Sequence, residues 1–173
     1  VYREVEVNGG EAYVLGFNIC KIKFGRIPEL RKRLGIIPQH PQLLYDRTIY
    51  ENFEFVLRAT GWSSSKKIKQ RIEEVAALCL ITEKLRWYPY QISGGEQKRA
   101  MVARAILNNP PLILADEPYA FLDEQSTHLI NNIFNDLVSK GHTIIIALHR
   151  LPAQLLSNYS GIEIKHRKTV PLS

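Results

Sequence analysis

Three short apolar runs constrain this fold more than anything else in the chain. Gly35-Ile36-Ile37, Leu112-Ile113-Leu114-Ala115 and Thr143-Ile144-Ile145-Ile146-Ala147-Leu148 are strand-length and dominated by aliphatic residues. Strands that are apolar throughout, without alternation, are the kind buried on both faces of a parallel sheet. Segments of helical periodicity lie between them, and strands alternating with helices predict an α/β fold. Parallel strands deliver ligand-facing residues at their C-terminal ends. The first run passes through Pro38 to Gln39, the second reaches Asp116-Glu117, and the third reaches His149. An amide, two carboxylates and an imidazole are therefore expected along one rim of the sheet.

The residues between the first two runs have a different texture. Thr48 and Glu51 form a Thr-x-x-Glu capping box, Ile49, Phe53 and Val56 follow at helical spacing, and Gly61 ends the helix. Ile68, Ile72, Val75 and Cys79 mark a second amphipathic helix. Ser93 opens a third, again with a capping box, to Glu96, and it runs to the region of Leu107. Residues 48–107 thus read as a helical block inserted into a core made of residues 1–47 and 108–173, all within one domain. In that core Ala12 to Leu15, between Gly10 and Gly16, reads as another strand; Leu129, Ile133 and Leu137 mark a helix closed by Gly141.

With 173 residues, 45% hydrophobic and 23% charged, the chain can bury a core and is not of disordered composition. Its longest apolar runs, Val75 to Ile81 and Ile144 to Leu148, fall far short of the roughly 18 residues a membrane helix needs. The net charge of +6 suits a phosphate ligand, an anionic surface or simply a basic soluble protein. The cluster Lys66, Lys67, Lys69, Arg71 is not interleaved with stacking aromatics, so no nucleic-acid partner is expected. Cys20 and Cys79 stand apart, outside any zinc or Cys-x-x-Cys spacing, as expected of thiols in a reducing, cytoplasmic compartment.

Adjacent carboxylates after a buried strand suit metal-dependent phosphate chemistry. Asp116 would hold Mg²⁺ through water, because that ion keeps much of its hydration shell. Glu117 would orient and polarise an attacking water, and His149 would contact the same water or a terminal phosphate. Each residue alone also fits an ordinary role: Asp116 as a loop or cap residue, Gln39 as a surface amide, His149 as a hydrogen-bonded strand end. Ile92-Ser93-Gly94-Gly95-Glu96-Gln97 is the sharpest local signal. Two glycines in a first helical turn are costly, and bare N–H groups at a positive helix terminus can take a phosphate. A plain capped helix accounts for Ser93 and Glu96 equally well.

Taken together, these residues resemble the ABC ATPases. Residues 92–97 resemble the family's signature motif, with Ile92 in place of Leu. Leu112 to Glu117 resembles its Walker B strand and catalytic glutamate. Gln39 matches the Q-loop glutamine, Phe121-Leu122-Asp123 the D-loop and His149 the switch histidine. Leu30 to Gly35 followed by Leu43 to Asn52 is similar to the cell-division branch, the FtsE type; lipoprotein-release and macrolide-export ATPases look alike there.

The resemblance implies a P-loop NTPase, RecA-like core carrying an inserted helical subdomain, with ATP and Mg²⁺ as ligands. It implies catalytic roles for Glu117, His149 and Gln39, and metal contacts from Asp116 and Gln39. It implies nucleotide contacts from Ser93, Gly94, Gly95, Glu96, Gln97, Asp116 and Asp123. A head-to-tail homodimer bridged by ATP is expected, with an integral membrane partner of FtsX or permease type near Gln39 to Tyr50, on the inner face of the plasma membrane. The ATPase of a lipoprotein-release or macrolide-type exporter and a non-catalytic regulatory module are the competing expectations. Long coiled coils of chromosome-organising relatives do not fit between Gln39 and Ser93. No Gly-x-x-x-x-Gly-Lys-Ser/Thr loop occurs, and Val1 to Gly16 resembles the segment after a P-loop helix. The chain is therefore expected to be N-terminally truncated, and these 173 residues alone to bind ATP poorly and not to hydrolyse it.

Overall fold

The computed structural model describes residues 10–149, 159–165 and 168–171. Most of the post-P-loop segment expected at the N-terminus, residues 1–9, lies outside them.

The described chain opens with a hairpin of β1 (Tyr13–Val14) and β2 (Phe17–Asn18). Its two-residue turn has positive φ at both Leu15 (50°) and Gly16 (82°), the backbone that matches strand twist in a tight hairpin. A short helix α1 (Ile27–Lys32) follows, with a proline in its first turn; sequence periodicity was too brief to announce it. Then come β3 (Leu34–Ile37), α2 (Ile49–Ala59), α3 (Ser65–Leu78), α4 (Gly94–Ile106), β4 (Leu112–Asp116), α5 (Glu124–Ser139) and β5 (Thr143–Ala147). A second antiparallel hairpin, β6 (Ile162–Lys165) with β7 (Lys168–Pro171), was not foreseen.

β3, β4 and β5 form a parallel sheet in that order, with β4 central. Ile37 lies opposite Ala115, and Asp116 opposite Ala147, so all three strands end at one edge. The pleat divides the apolar residues between two clusters. Leu34, Ile36, Leu112 and Leu114 meet Phe17 from the hairpin, Leu30 from α1 and Ile22 from the segment between them. Ile37, Ile113 and Ala115 join the larger core of Phe53, Ile72, Met101, Ile106 and Phe134. The helices between β3 and β4 thus share a continuous core with the sheet.

The capping boxes form as expected. Thr48 caps α2 and Ser93 caps α4, each with its glutamate reaching back to the cap amide. α2 buries Ile49, Phe53 and Leu57, worth about 1.5–3 kcal/mol for each fully buried side chain. The Arg71 guanidinium on α3 donates to the carbonyls of Ile106 (2.9 Å) and Leu107 (2.8 Å), closing the C-terminal end of α4. Gly35 is where α4 meets the sheet: a Cβ there would stand 2.7 Å from the Ala105 carbonyl oxygen.

One expectation is corrected. The third apolar run is not buried on both faces: Thr143, Ile145 and Ala147 are exposed, and Ile145 is 53% accessible. β5 is the edge strand of the described sheet. Ile144 and Ile146 pack on the core that holds α5, and nothing among the described residues covers the opposite face. No helix among the described residues is long and apolar enough to cross a membrane.

Candidate functional site at the C-terminal edge of the sheet

The parallel register carries the chemistry. Asp116 is the last residue of β4, its side chain exposed. Glu117 follows with φ at +44°, a left-handed conformation unusual outside glycine, and is half-buried. Two contacts hold it against β5. Its amide donates to the Ala147 carbonyl at 3.0 Å, and its carboxylate Oε1 accepts from the main-chain amide of His149. Strained backbone persists only where surrounding contacts over-determine it, and such positions cluster at functional sites.

Gln39 reaches the same edge two residues beyond β3. What joins it to Glu117 is Lys98 on α4, a residue the sequence reading passed over. Its Nζ donates to the Gln39 carbonyl at 2.9 Å and to the Glu117 carbonyl at 3.1 Å, and the residue is only 4% exposed. Burial lowers the Lys98 pKa, while the nearby charges of Asp116 and Glu117 oppose that shift. A signal existed in the sequence: Lys98 stands three and four residues before Met101 and Val102, on the helix face that is otherwise apolar.

The bare turn of α4 lies five residues before Lys98 and faces outward. Ser93 and Gly94 are exposed, and a Cβ at Gly94 would meet nothing within 4 Å. Neither glycine has positive φ, so backbone conformation does not explain them. Open space in front of bare amides at a helix start fits the approach of an anion from outside. Ser93 and Glu96 are committed to the capping box: the Ser93 amide donates to Glu96 at 2.8 Å, and that bond holds the carboxyl below the usual range. Gln97 is turned away, its amide donating to the carbonyls of Pro89 (2.9 Å) and Ile92 (3.3 Å). Asp123 caps α5 by accepting from the Ser126 amide at 2.7 Å, the main cause of its lowered pKa. The two helix starts adjoin, for a Cβ on Gly95 would be 3.7 Å from Ser126 Oγ.

Thus Gln39, Asp116, Glu117 and His149 share one edge, whereas Glu96, Gln97 and Asp123 use their side chains to shape local backbone. Asn52 is a second residue missed. It is 1% exposed; its side chain accepts from the Leu44 amide (2.7 Å) and donates to the carbonyls of Leu44 (3.0 Å), Arg47 (3.3 Å) and Thr48 (2.9 Å). It fixes the loop that follows Gln39 onto α2.

Among the described residues no three His, Cys, Asp or Glu gather around a metal-sized space. A lone exposed Asp116 instead fits Mg²⁺ that arrives with phosphate oxygens and retains water, rather than a metal in an all-protein cage.

The family profile described as ABC transporter matches residues 2–120. The cell division ATP-binding protein FtsE of Streptococcus pneumoniae is 40% identical over 149 residues, 86% of this chain and 64% of that protein. The methionine import ATP-binding protein MetN of Helicobacter acinonychis is 35% identical over 133 residues, 77% of this chain and 40% of that protein. Among solved structures, the dimeric post-hydrolysis state of the ATP-binding cassette MJ0796, bound to ADP and Pi, superimposes with a TM-score of 0.77 at 27% identity; the match covers 84% of this chain and 65% of that one. The chain therefore spans less than two thirds of the length of these relatives.

Proposed function

This chain belongs to the ABC transporter family, with that family's P-loop NTPase fold, and we propose that it is part of an ATPase subunit that hydrolyses Mg²⁺-bound ATP to drive a membrane partner. The observation that carries this reading is the meeting of Glu117 with His149 at the strand edge, beside Asp116 and linked through Lys98 to Gln39.

In this reading Asp116 and Gln39 hold the metal side of the nucleotide. The chemistry magnesium supplies is charge neutralisation on the phosphate oxygens. Glu117 orients a water and accepts its proton as the water oxygen bonds to the γ-phosphorus. The bond from that phosphorus to the β–γ bridging oxygen breaks, releasing ADP and phosphate. His149 stands beside the γ-phosphate. Ser93, Gly94 and Gly95 serve the nucleotide of a second subunit in a head-to-tail homodimer, so a triphosphate closes the pair and hydrolysis reopens it. Glu96 and Asp123 contribute by holding those helix starts in place.

The similarity to FtsE supports a cell-division ATPase acting with an FtsX-type membrane protein, on the cytoplasmic face of the plasma membrane. The similarity to MetN supports an importer ATPase as a second reading. Phosphate release by the protein carrying this chain, with and without Mg²⁺, tests the activity; no Mg²⁺-dependent release defeats it. Co-purification with the membrane protein encoded next to it separates the two partners: a four-span protein favours the first reading and a permease the second.

A further inference from the structure

α4 has two ends of different character. Its first turn offers bare amides to the outside; one turn further on, Lys98 points inward and holds two carbonyls in the loops that follow two different strands. From Ser93 to Lys98 is about 7.5 Å along the axis at the ordinary helical rise. Because Lys98 grips main-chain oxygens, it occupies neither the Gln39 amide nor the Glu117 carboxylate, whose Oε1 is held by the His149 amide. The grip falls on a residue that needs holding. Glu117 has φ at +44°, and its carbonyl also accepts from the Ala120 amide at 3.1 Å.

We propose that Lys98 is a positioning residue: its buried ammonium ties the two strand-end loops, at Gln39 and at Glu117, to the helix whose first turn is Ser93-Gly94-Gly95. This rests on the proposed ATPase reading and deepens it. Displacement of either loop, as a phosphate arrives or leaves, is passed to one rigid helix and so to the turn that faces the second subunit. The ammonium has three donors, and two carbonyls take two of them. Removing it leaves both carbonyls buried without that partner and lets the loops move independently.

The test uses the protein carrying this chain with Lys98→Met, which keeps the length and loses the donors, and Lys98→Gln, which keeps N–H donors without charge. Hydrogen exchange is read by peptide over residues 39–42 and 117–120, alongside kcat and KM for ATP. Lys98→Met is expected to raise exchange in both segments and to lower kcat at least tenfold, with KM changed less than threefold. Lys98→Gln is expected to restore protection and much of kcat. Native exchange in both segments overturns the proposal, as does raised exchange with unchanged kcat. If the parent protein releases no phosphate, the ATPase reading fails by itself, and the exchange measurement still decides whether Lys98 ties the loops. If Lys98→Met does not fold, Lys98→Gln decides: exchange at the parent level upholds the tie, and exchange raised across the whole chain overturns it.

Discussion

The main-chain amide of His149 donates to Oε1 of Glu117. The main chain two residues beyond β5 therefore grips the carboxylate that follows β4, and one carboxylate oxygen remains for a water. A glutamine at position 117 keeps an acceptor for that amide and loses the base. Glu117→Gln is expected to leave the fold intact, to cut turnover by about 10²–10³-fold, and to accumulate an ATP-bound dimer. Phosphate release and size-exclusion chromatography with ATP check this; turnover at the parent rate removes Glu117 from its assigned role.

Asn52 satisfies four main-chain groups in the loop that follows Gln39. Asn52→Ala strands the Leu44 amide and carbonyl in a buried place. A loss of about 2–3 kcal/mol is expected in urea unfolding. Exchange should rise most over residues 43–48.

A side chain at position 35 has no room. Its Cβ would lie 2.7 Å from the Ala105 oxygen and 2.9 Å from Pro110 Cγ. Gly35→Ala must push α4 off the sheet, at about 1–3 kcal/mol, lowering the thermal midpoint.

Tyr119 presents the opposite case. Its hydroxyl is buried with no hydrogen-bond partner among the described residues, and burial raises its pKa. Tyr119→Phe keeps the ring against Phe134 and discards an uncompensated polar atom. Its unfolding midpoint is expected to be equal to the parent's or higher.

Three helix caps predict the acid response. Glu51, Glu96 and Asp123 all have lowered pKa values, each chiefly because a main-chain amide donates to the carboxylate. A carboxyl depressed on folding stabilises fully above its unfolded value, 4.5 for glutamate and 3.8 for aspartate, and loses that contribution as pH falls through its lowered folded value. Urea midpoints are expected to fall from about pH 5 toward pH 3. Glu96→Gln should flatten that decline, while a variant with the parent slope would show that the Ser93 box contributes nothing to it.

Local order was legible in the chain because short-range chemistry decides it. The boxes at Thr48 and Ser93 start α2 and α4 where expected, and the apolar runs become β3, β4 and β5. Parallel pairing then follows from the alternation of strands and helices, and it puts Gln39, Asp116, Glu117 and His149 at one edge. β1 falls within the expected strand at Ala12 to Leu15, whereas α1 and the hairpin of β6 and β7 were too short to leave a periodic trace.

The remainder depended on atoms far apart in sequence. Whether an apolar strand is covered depends on what packs across it, so Ile145 is exposed although its neighbours in the run face the core. Lys98 lies 59 residues from Gln39 and 19 from Glu117, and only the folded chain brings its ammonium to both. The sequence alone determined which groups would meet at the edge, because strand polarity and periodicity are local properties. The tertiary structure alone decided what holds them there, because a buried charge finds its partners only once helix and sheet have closed around it.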